Sequence, residues 1–108
     1  MSDRIYSFLG LAARAGKVSS GDETCERALK AGKVYLVIVS EDASGNTKKK
    51  FKDMCSYRDT AIRCFGEMER LGRSIGKDVR SVAAVTDRSF AGHLKVMIDE
   101  RGTEHGGV

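Results

Sequence analysis

The chain has 108 residues, and 19 lysines and arginines against 15 aspartates and glutamates give it a net charge of +4. This length suits one domain with one hydrophobic core, and the modest positive charge permits a polyanionic partner without requiring one. With 41% hydrophobic and 31% charged residues and no low-complexity run, the composition excludes a disordered chain.

Cysteine and histidine spacing gives no sign of a metal site. Cys25, Cys55 and Cys64 are widely separated, and neither His93 nor His105 completes a zinc-binding pattern. We therefore expect reduced thiols that are buried or half-buried, with no metal and no cofactor. The N-terminus lacks a cationic segment followed by an apolar one, and no apolar run is long enough to span a bilayer, so the expected location is the cytoplasm.

The first half of the chain predicts two amphipathic helices followed by a buried strand. Apolar residues recur at helical spacing in residues 3–14, and "KVSS" is a very short extended segment. Gly21 opens the second helix, and Gly32 stands where a residue with left-handed backbone conformation is expected to end it. Residues 34–40, "VYLVIVS", are almost continuously apolar or β-branched, which indicates a strand covered on both faces.

The second half continues the alternation of helices and strands. The pattern predicts, in order, a helix from Ser44 or Asn46 to about Arg58, a strand at 61–65, a helix at 67–75, a strand at 81–86 and a helix at 87–100. Short connections between such elements predict a three-layer α/β/α sandwich around a mixed sheet of about four strands. We assign residues 1–101 to this single α/β domain and expect 102–108 to form a disordered tail.

Segments that could carry catalysis do not complete a known pattern. "GLAARAGKV" has five rather than four residues between its glycines, and Val18 stands where a nucleotide-binding loop requires Ser or Thr. Glu41 and Asp42 end the central strand, but no histidine, cysteine or serine pattern partners them. Asp42 is more simply a turn and capping residue. The sequence therefore favours a protein that is not an enzyme.

The helix that begins at Gly21 is the leading candidate site. Backbone N–H groups in the first turn of a helix have no intrahelical partner, and glycine lacks the Cβ that would keep a ligand at a distance. Glu23, Arg27 and Lys30 form one solvent-facing stripe on this helix. The residues alone leave two interpretations open: an RNA-reading helix end, or a plain helix start with a Glu23–Arg27 ion pair.

The lysine run "NTKKKFKD" has two interpretations as well. A solvated helix face is favoured over a phosphate contact for its four lysines. Aromatic residues are scarce, and no strand carries the aromatic pattern that stacks bases on a sheet. If RNA binds, we expect its shape and backbone to be read by a helix end with lysines around it.

Residues 16–42, "GKVSSGDETCERALKAGKVYLVIVSED", resemble the kink-turn-binding ribosomal-protein superfamily of the L-seven-Ae type. "NTKKKF" and "LGRSIGKDVRSVAAVTD" are similar to its small bacterial YlxQ-like branch, so the resemblance covers roughly residues 3–98. It implies a monomeric, ribosome-associated RNA-binding protein that recognises a kink-turn or related bent internal loop. The alternative is a protein-interaction module that uses the same fold without RNA.

The resemblance also implies which residues face the RNA. They are Lys17, Gly21, Asp22, Glu23, Arg27, Lys33, Val79 and Arg80. By this resemblance the helix start at Gly21 approaches the guanines of sheared G·A pairs, Val79 packs against an extruded nucleotide, and Arg80 reaches the phosphates. Better-known members have Asn where Glu23 stands. The adjacent carboxylates of Asp22 and Glu23 would therefore both face the RNA. We also expect Glu23 to neutralise part of the charge of Arg27.

Overall fold

The computed structural model describes residues 2–106, and side chains are described for residues 2–101. The elements are, in chain order, α1 (Ser2–Arg14), β1 (Val18–Ser20), α2 (Asp22–Lys30), β2 (Leu36–Val39), α3 (Gly45–Arg58), β3 (Ala61–Cys64), α4 (Met68–Ser74), β4 (Val82–Val85) and α5 (Arg88–Gly106). This is the predicted order, although each strand is one to three residues shorter than predicted. Among the described residues, no helix combines the length and hydrophobicity of a membrane span.

The four strands form one mixed sheet in the order β1-β4-β2-β3. β2 pairs parallel with β3 and antiparallel with β4, while β1 pairs antiparallel with β4 and places Ser20 opposite Ala83. The two central strands, β2 and β4, are buried along their whole length. The C-terminal end of β1 and the N-terminal end of β4 consequently lie side by side.

Helices cover both faces of this sheet. Successive side chains of a strand point to opposite faces, so Leu36 and Ile38 pack on one side and Val37 and Val39 on the other. The first side is covered by α1, α4 and α5, and the second by α2 and α3. The predicted three-layer α/β/α sandwich is therefore confirmed.

Capping residues hold the ends of α3 and α4. The Oγ of Ser44 accepts a hydrogen bond from the backbone N–H of Thr47 at 3.1 Å. Ser44, one of the two predicted helix starts, is therefore the N-cap of α3. A carboxylate oxygen of Asp42 accepts one from the backbone N–H of Met68 at 2.9 Å, at the first residue of α4. This bond lowers the pKa of the Asp42 carboxyl. Asp42 is thus the capping residue that the sequence suggested.

Two features differ from the predictions. Helix α5 continues to Gly106, so residues 102–106 of the expected tail are helical, and no proline is present to interrupt the backbone hydrogen bonds. Residues 107–108 of that tail lie outside the described residues. Cys25 and Cys55 are buried, but Cys64 is exposed because it ends β3 at the edge of the sheet.

Close packing at Gly72 holds the loop before β4. A Cβ built on this buried residue of α4 would lie 1.4 Å from the carbonyl oxygen of Asp78. The carbonyl of Gly72 accepts the N–H of Lys77 at 2.8 Å, and the N–H of Arg80 donates to the carbonyl of Met68 at 3.0 Å. Only glycine permits this approach, so residues 77–80 are fixed against α4.

Gly72→Ala should lower the free energy of unfolding by about 1–3 kcal/mol, because the backbone at Asp78 must move away from the added methyl group. Urea unfolding measures this change. Gly92→Ala is the matched control, since a Cβ added at that position in α5 meets nothing within 4 Å. The control should leave stability unchanged or raise it by up to about 1 kcal/mol. Equal losses in both variants would contradict the proposed packing role of Gly72.

Candidate nucleic-acid interface

Helix α2 begins at an open turn. Gly21, the residue before the helix, has φ +95° and ψ +152°, and in the described part of the chain no side chain caps it. A Cβ built there meets nothing within 4 Å. The N–H of Gly21 donates to the carbonyl of Val82 at 3.1 Å, and its own carbonyl accepts the N–H of Cys25 at 2.9 Å. The sheet and the helix thus fix this turn, while its outer side stays accessible.

Arg80 lies directly beside this turn. Its Nε donates to the Oγ of Ser20 at 3.1 Å, although the two residues are 60 positions apart in the chain. Its Nη1 donates to the carbonyl of Val79 at 3.0 Å. The Val79 side chain is 57% exposed. The structure therefore places the segment of Val79 and Arg80 next to the segment of Ser20 and Gly21, as the resemblance implied.

Asp22 is neutralised by a lysine of α3. The Lys50 ammonium contacts the Asp22 carboxylate and also lies 2.5 Å from Glu26, which pairs with Lys30 at 2.9 Å. The hydrogen bond from Lys50 is the main reason why the pKa of Glu26 falls to about 2, and the bond to Asp22 is the main reason why the pKa of Lys50 rises. The charge of Asp22 is consequently offset within the protein.

Lys50 is a site residue that the sequence did not single out. The lysine run was visible, but nothing in it distinguished Lys50 from its neighbours, because the packing of α3 against α2 decides which lysine reaches Asp22. Two of the other three lysines have different partners: Lys48 donates to the carbonyl of Glu41 at 2.6 Å, and Lys49 pairs with Asp53 at 2.9 Å.

Glu23 and Arg27 are exposed on the solvent-facing side of α2 with Lys30, as their spacing predicts. Among the described residues, however, no ion pair joins Glu23 to Arg27, so the expected partial neutralisation is not observed. Holding two exposed, solvated side chains together gains little free energy. Arg27 instead lines a shallow depression with Thr24, Lys33 and Thr86.

Lys17 and Lys33 lie at the opposite end of β1 and α2 from Gly21. Both are exposed, and the backbone of each is tied to the fold: the Lys17 carbonyl accepts the N–H of Thr86 at 2.8 Å, and the Lys33 N–H donates to Ala28 at 3.1 Å. A nine-residue helix is about 14 Å long. The eight predicted residues thus lie on β1 and α2, at their ends, or in the loop that Arg80 connects to Ser20, and this set of residues is referred to below as the α2 strip.

Comparison with known proteins places the chain in a family. Residues 3–94 match the Ribosomal protein L7Ae/L30e/S12e/Gadd45 family, and the chain belongs to it. It is 43% identical over 94 residues to the RNA-binding protein YlxQ of Bacillus subtilis (strain 168), covering 87% of this chain and 94% of that protein. The resemblance to the YlxQ-like branch, read from the sequence, is confirmed.

More distant relatives and solved structures agree with this placement. The chain is 28% identical over 91 residues to large ribosomal subunit protein eL8 of Cenarchaeum symbiosum (strain A), covering 83% of this chain and 72% of that protein. A solved protein of unknown function from Bacillus halodurans C matches with a TM-score of 0.85 and 42% identity over 88% of this chain and 96% of that one. The Giardia lamblia 15.5kD RNA binding protein shares the fold, with a TM-score of 0.74 and 18% identity over 89% and 82% of the two chains.

Lys50→Met should raise the pKa of Glu26 from about 2 towards its ordinary value of 4.5, because the largest contribution to the shift is lost. A depressed carboxyl pKa stabilises the fold above the ordinary pKa, and this contribution disappears as pH falls through the folded-state value. The wild type should therefore lose more stability than the variant between pH 4.5 and about 2.

A carboxyl-carbon NMR titration of Glu26 measures the pKa, and urea unfolding over the same pH range measures the stability. Lys49→Met is the matched control, since Lys49 pairs with Asp53 instead. A Glu26 carboxyl that still titrates near 2 in Lys50→Met would rule out the hydrogen bond from Lys50 as the main cause of its low pKa.

Proposed function

We propose that this protein binds structured RNA through the α2 strip, and that its target is a kink-turn or a related bent internal loop. The proposal rests on one observation: the open, uncapped turn at Gly21 lies beside Arg80, which Ser20 holds in place. Relatives named as RNA-binding and ribosomal proteins support it. We extend the proposal to a monomeric, non-enzymatic protein that works in the cytoplasm in association with the ribosome.

The turn at Gly21 offers hydrogen-bond donors to RNA. First-turn N–H groups and the helix dipole attract phosphate oxygens and the acceptor atoms of bases. The missing Cβ at Gly21 allows a ribose or a base edge to come close to the backbone. Arg80 uses Nε and Nη1 within the protein, which leaves donors on Nη2 for a phosphate.

The acidic residues at the helix start then have separate roles. Asp22 is engaged by Lys50, so its charge is reduced before RNA arrives. Glu23 is exposed and can accept hydrogen bonds from the N1–H and amino group of a guanine. Repulsion between these two carboxylates and RNA phosphates would favour the alternative, a protein-interaction module, and the contact of Asp22 with Lys50 reduces that repulsion.

An internal loop suits this surface better than a regular duplex. The major groove of an A-form helix is too deep and narrow for side chains, so specific recognition uses unstacked bases. Val79, which is 57% exposed and precedes Arg80, provides an apolar contact for an extruded base. Arg80 at one end of the strip and Lys17 and Lys33 at the other can contact the phosphates of two RNA arms that a bend brings to one side.

Titration with a kink-turn RNA and with a fully paired duplex of equal length tests the proposal. The bent RNA should bind more tightly than the duplex. A plot of log K against log salt concentration should have a slope between about −2 and −4, which is expected if Lys17, Arg27, Lys33 and Arg80 contact phosphates. Arg80→Ala should reduce the slope by about 1. Arg4→Ala, an exposed cation on α1 at the opposite face of the sheet, is the control.

Three results would contradict the proposal. A flat salt response would exclude the phosphate contacts, and equal affinity for the duplex would exclude recognition of a bend. Failure of the folded protein to bind either RNA would favour the protein-interaction module.

Gly21→Ala should weaken RNA binding at least tenfold, because the added methyl group occupies the open side of the turn. The positive φ also makes any side chain there costly by about 1–3 kcal/mol, so affinity is measured at a temperature where the variant is folded. Gly76→Ala is the matched control: it has φ +75° and open space around an added Cβ, but it follows α4 and belongs neither to α2 nor to the α2 strip. If both variants bind RNA as the wild type does, the contact at Gly21 is wrong.

A further inference from the structure

Two of the three tyrosines are exposed and lie together beyond the C-terminal end of α2. Tyr57, in the last turn of α3, is 87% exposed, and Tyr35, just before β2, is 44% exposed, whereas Tyr6 is buried. Both exposed rings line one depression of about 530 Å³. The other lining residues are Leu29, Gly32, Val34, Arg58, Asp59 and Thr60.

Two arginines lie at or near this aromatic depression. Arg58 lines it, and the guanidinium of Arg88 lies 5.5 Å from the ring centroid of Tyr35. Asp59 also lines it and offsets part of that charge. The surroundings therefore suit a ligand that has both a flat apolar face and a negative backbone.

The depression is adjacent to the α2 strip along the chain. Gly32 and Val34 line the depression, while Lys33 between them lines the neighbouring hollow with Arg27. The full length of α2, about 14 Å, separates Gly21 from this end of the strip. That distance corresponds to about four base steps of 3.4 Å. An RNA strand that contacts Gly21 can therefore reach the tyrosines within a few nucleotides.

We propose that Tyr35 and Tyr57 stack unpaired bases of the strand that flanks the bent element. This inference rests on the proposed function, because it names a second contact for the same RNA. Aromatic rings and guanidinium planes stack on any base, so the contact is tolerant of sequence. The scarcity of aromatics in the sequence argued against base stacking on the sheet, but the fold places the two exposed tyrosines at one depression, before β2 and at the end of α3.

The experiment compares one kink-turn RNA in two forms: with blunt helix ends, and with four-nucleotide single-stranded extensions at its 5′ or 3′ end. Affinity is measured at fixed salt concentration, and NMR follows the ring signals of the three tyrosines. For the wild type, one extension should tighten binding by roughly 5- to 150-fold per stacked base. The ring signals of Tyr35 and Tyr57 should shift with the extended RNA, and those of buried Tyr6 should not.

Variants assign the gain to the tyrosine rings. Tyr35→Ser and Tyr57→Ser should lose the gain from the extension and keep the wild-type affinity for blunt RNA, whereas Tyr35→Phe and Tyr57→Phe should keep both. Val96→Ser is the matched control, because Val96 is an exposed apolar residue of α5 that lies outside the depression.

The outcomes separate this inference from the proposed function. An extension that adds no affinity, or Ser variants that keep the full gain, would overturn the stacking contact while blunt-RNA binding stands. No binding of either RNA would overturn both. Self-association of the protein that Tyr57→Ser abolishes, with no effect on RNA, would assign the depression to a second copy of the chain and also overturn the inference.

Discussion

The antiparallel pairing of β1 with β4 is the constraint on which the candidate site depends. It aligns Ser20 with Ala83, so the turn that opens α2 lies against the loop that leads into β4. The hydrogen bond from Gly21 to Val82 extends this pairing by one residue, and the bond from Arg80 to Ser20 connects the two loops through side chains. Without this register, the exposed backbone at Gly21 and the cation at Arg80 would belong to separate surfaces.

Further contacts hold the loop before β4 and the first turn of α2 in place. Gly72 lets the loop at Asp78 pack directly on α4, and Asp42, at the end of β2, caps the same helix through Met68. On the other face of the sheet, Lys50 of α3 binds Asp22 at the first turn of α2. The site thus combines a rigid backbone with local charge compensation. This is the physical condition for recognising a ligand by shape, since the surface needs little rearrangement on binding.

Much of the fold was readable from local patterns. The continuous apolar run before Ser40 predicted a doubly covered central strand, and β2 is buried along its whole length. Ser44 and Gly32 marked helix ends correctly, because capping and left-handed turns depend on a few neighbouring residues. The family resemblance, carried by ordered motifs, gathered residues from two distant segments and assigned them to one surface.

The sequence by itself thus determined the order of the elements, the layers of the sandwich, and the helix start at Gly21, because periodicity, capping and glycine chemistry act over a few residues. Only the tertiary structure decided the partners of the charges. Lys50 rather than Lys48 or Lys49 reaches Asp22, and no ion pair joins Glu23 and Arg27 among the described residues. Tyr35 and Tyr57 line one depression. These contacts depend on how helices pack across the sheet, and neither spacing nor composition encodes that geometry.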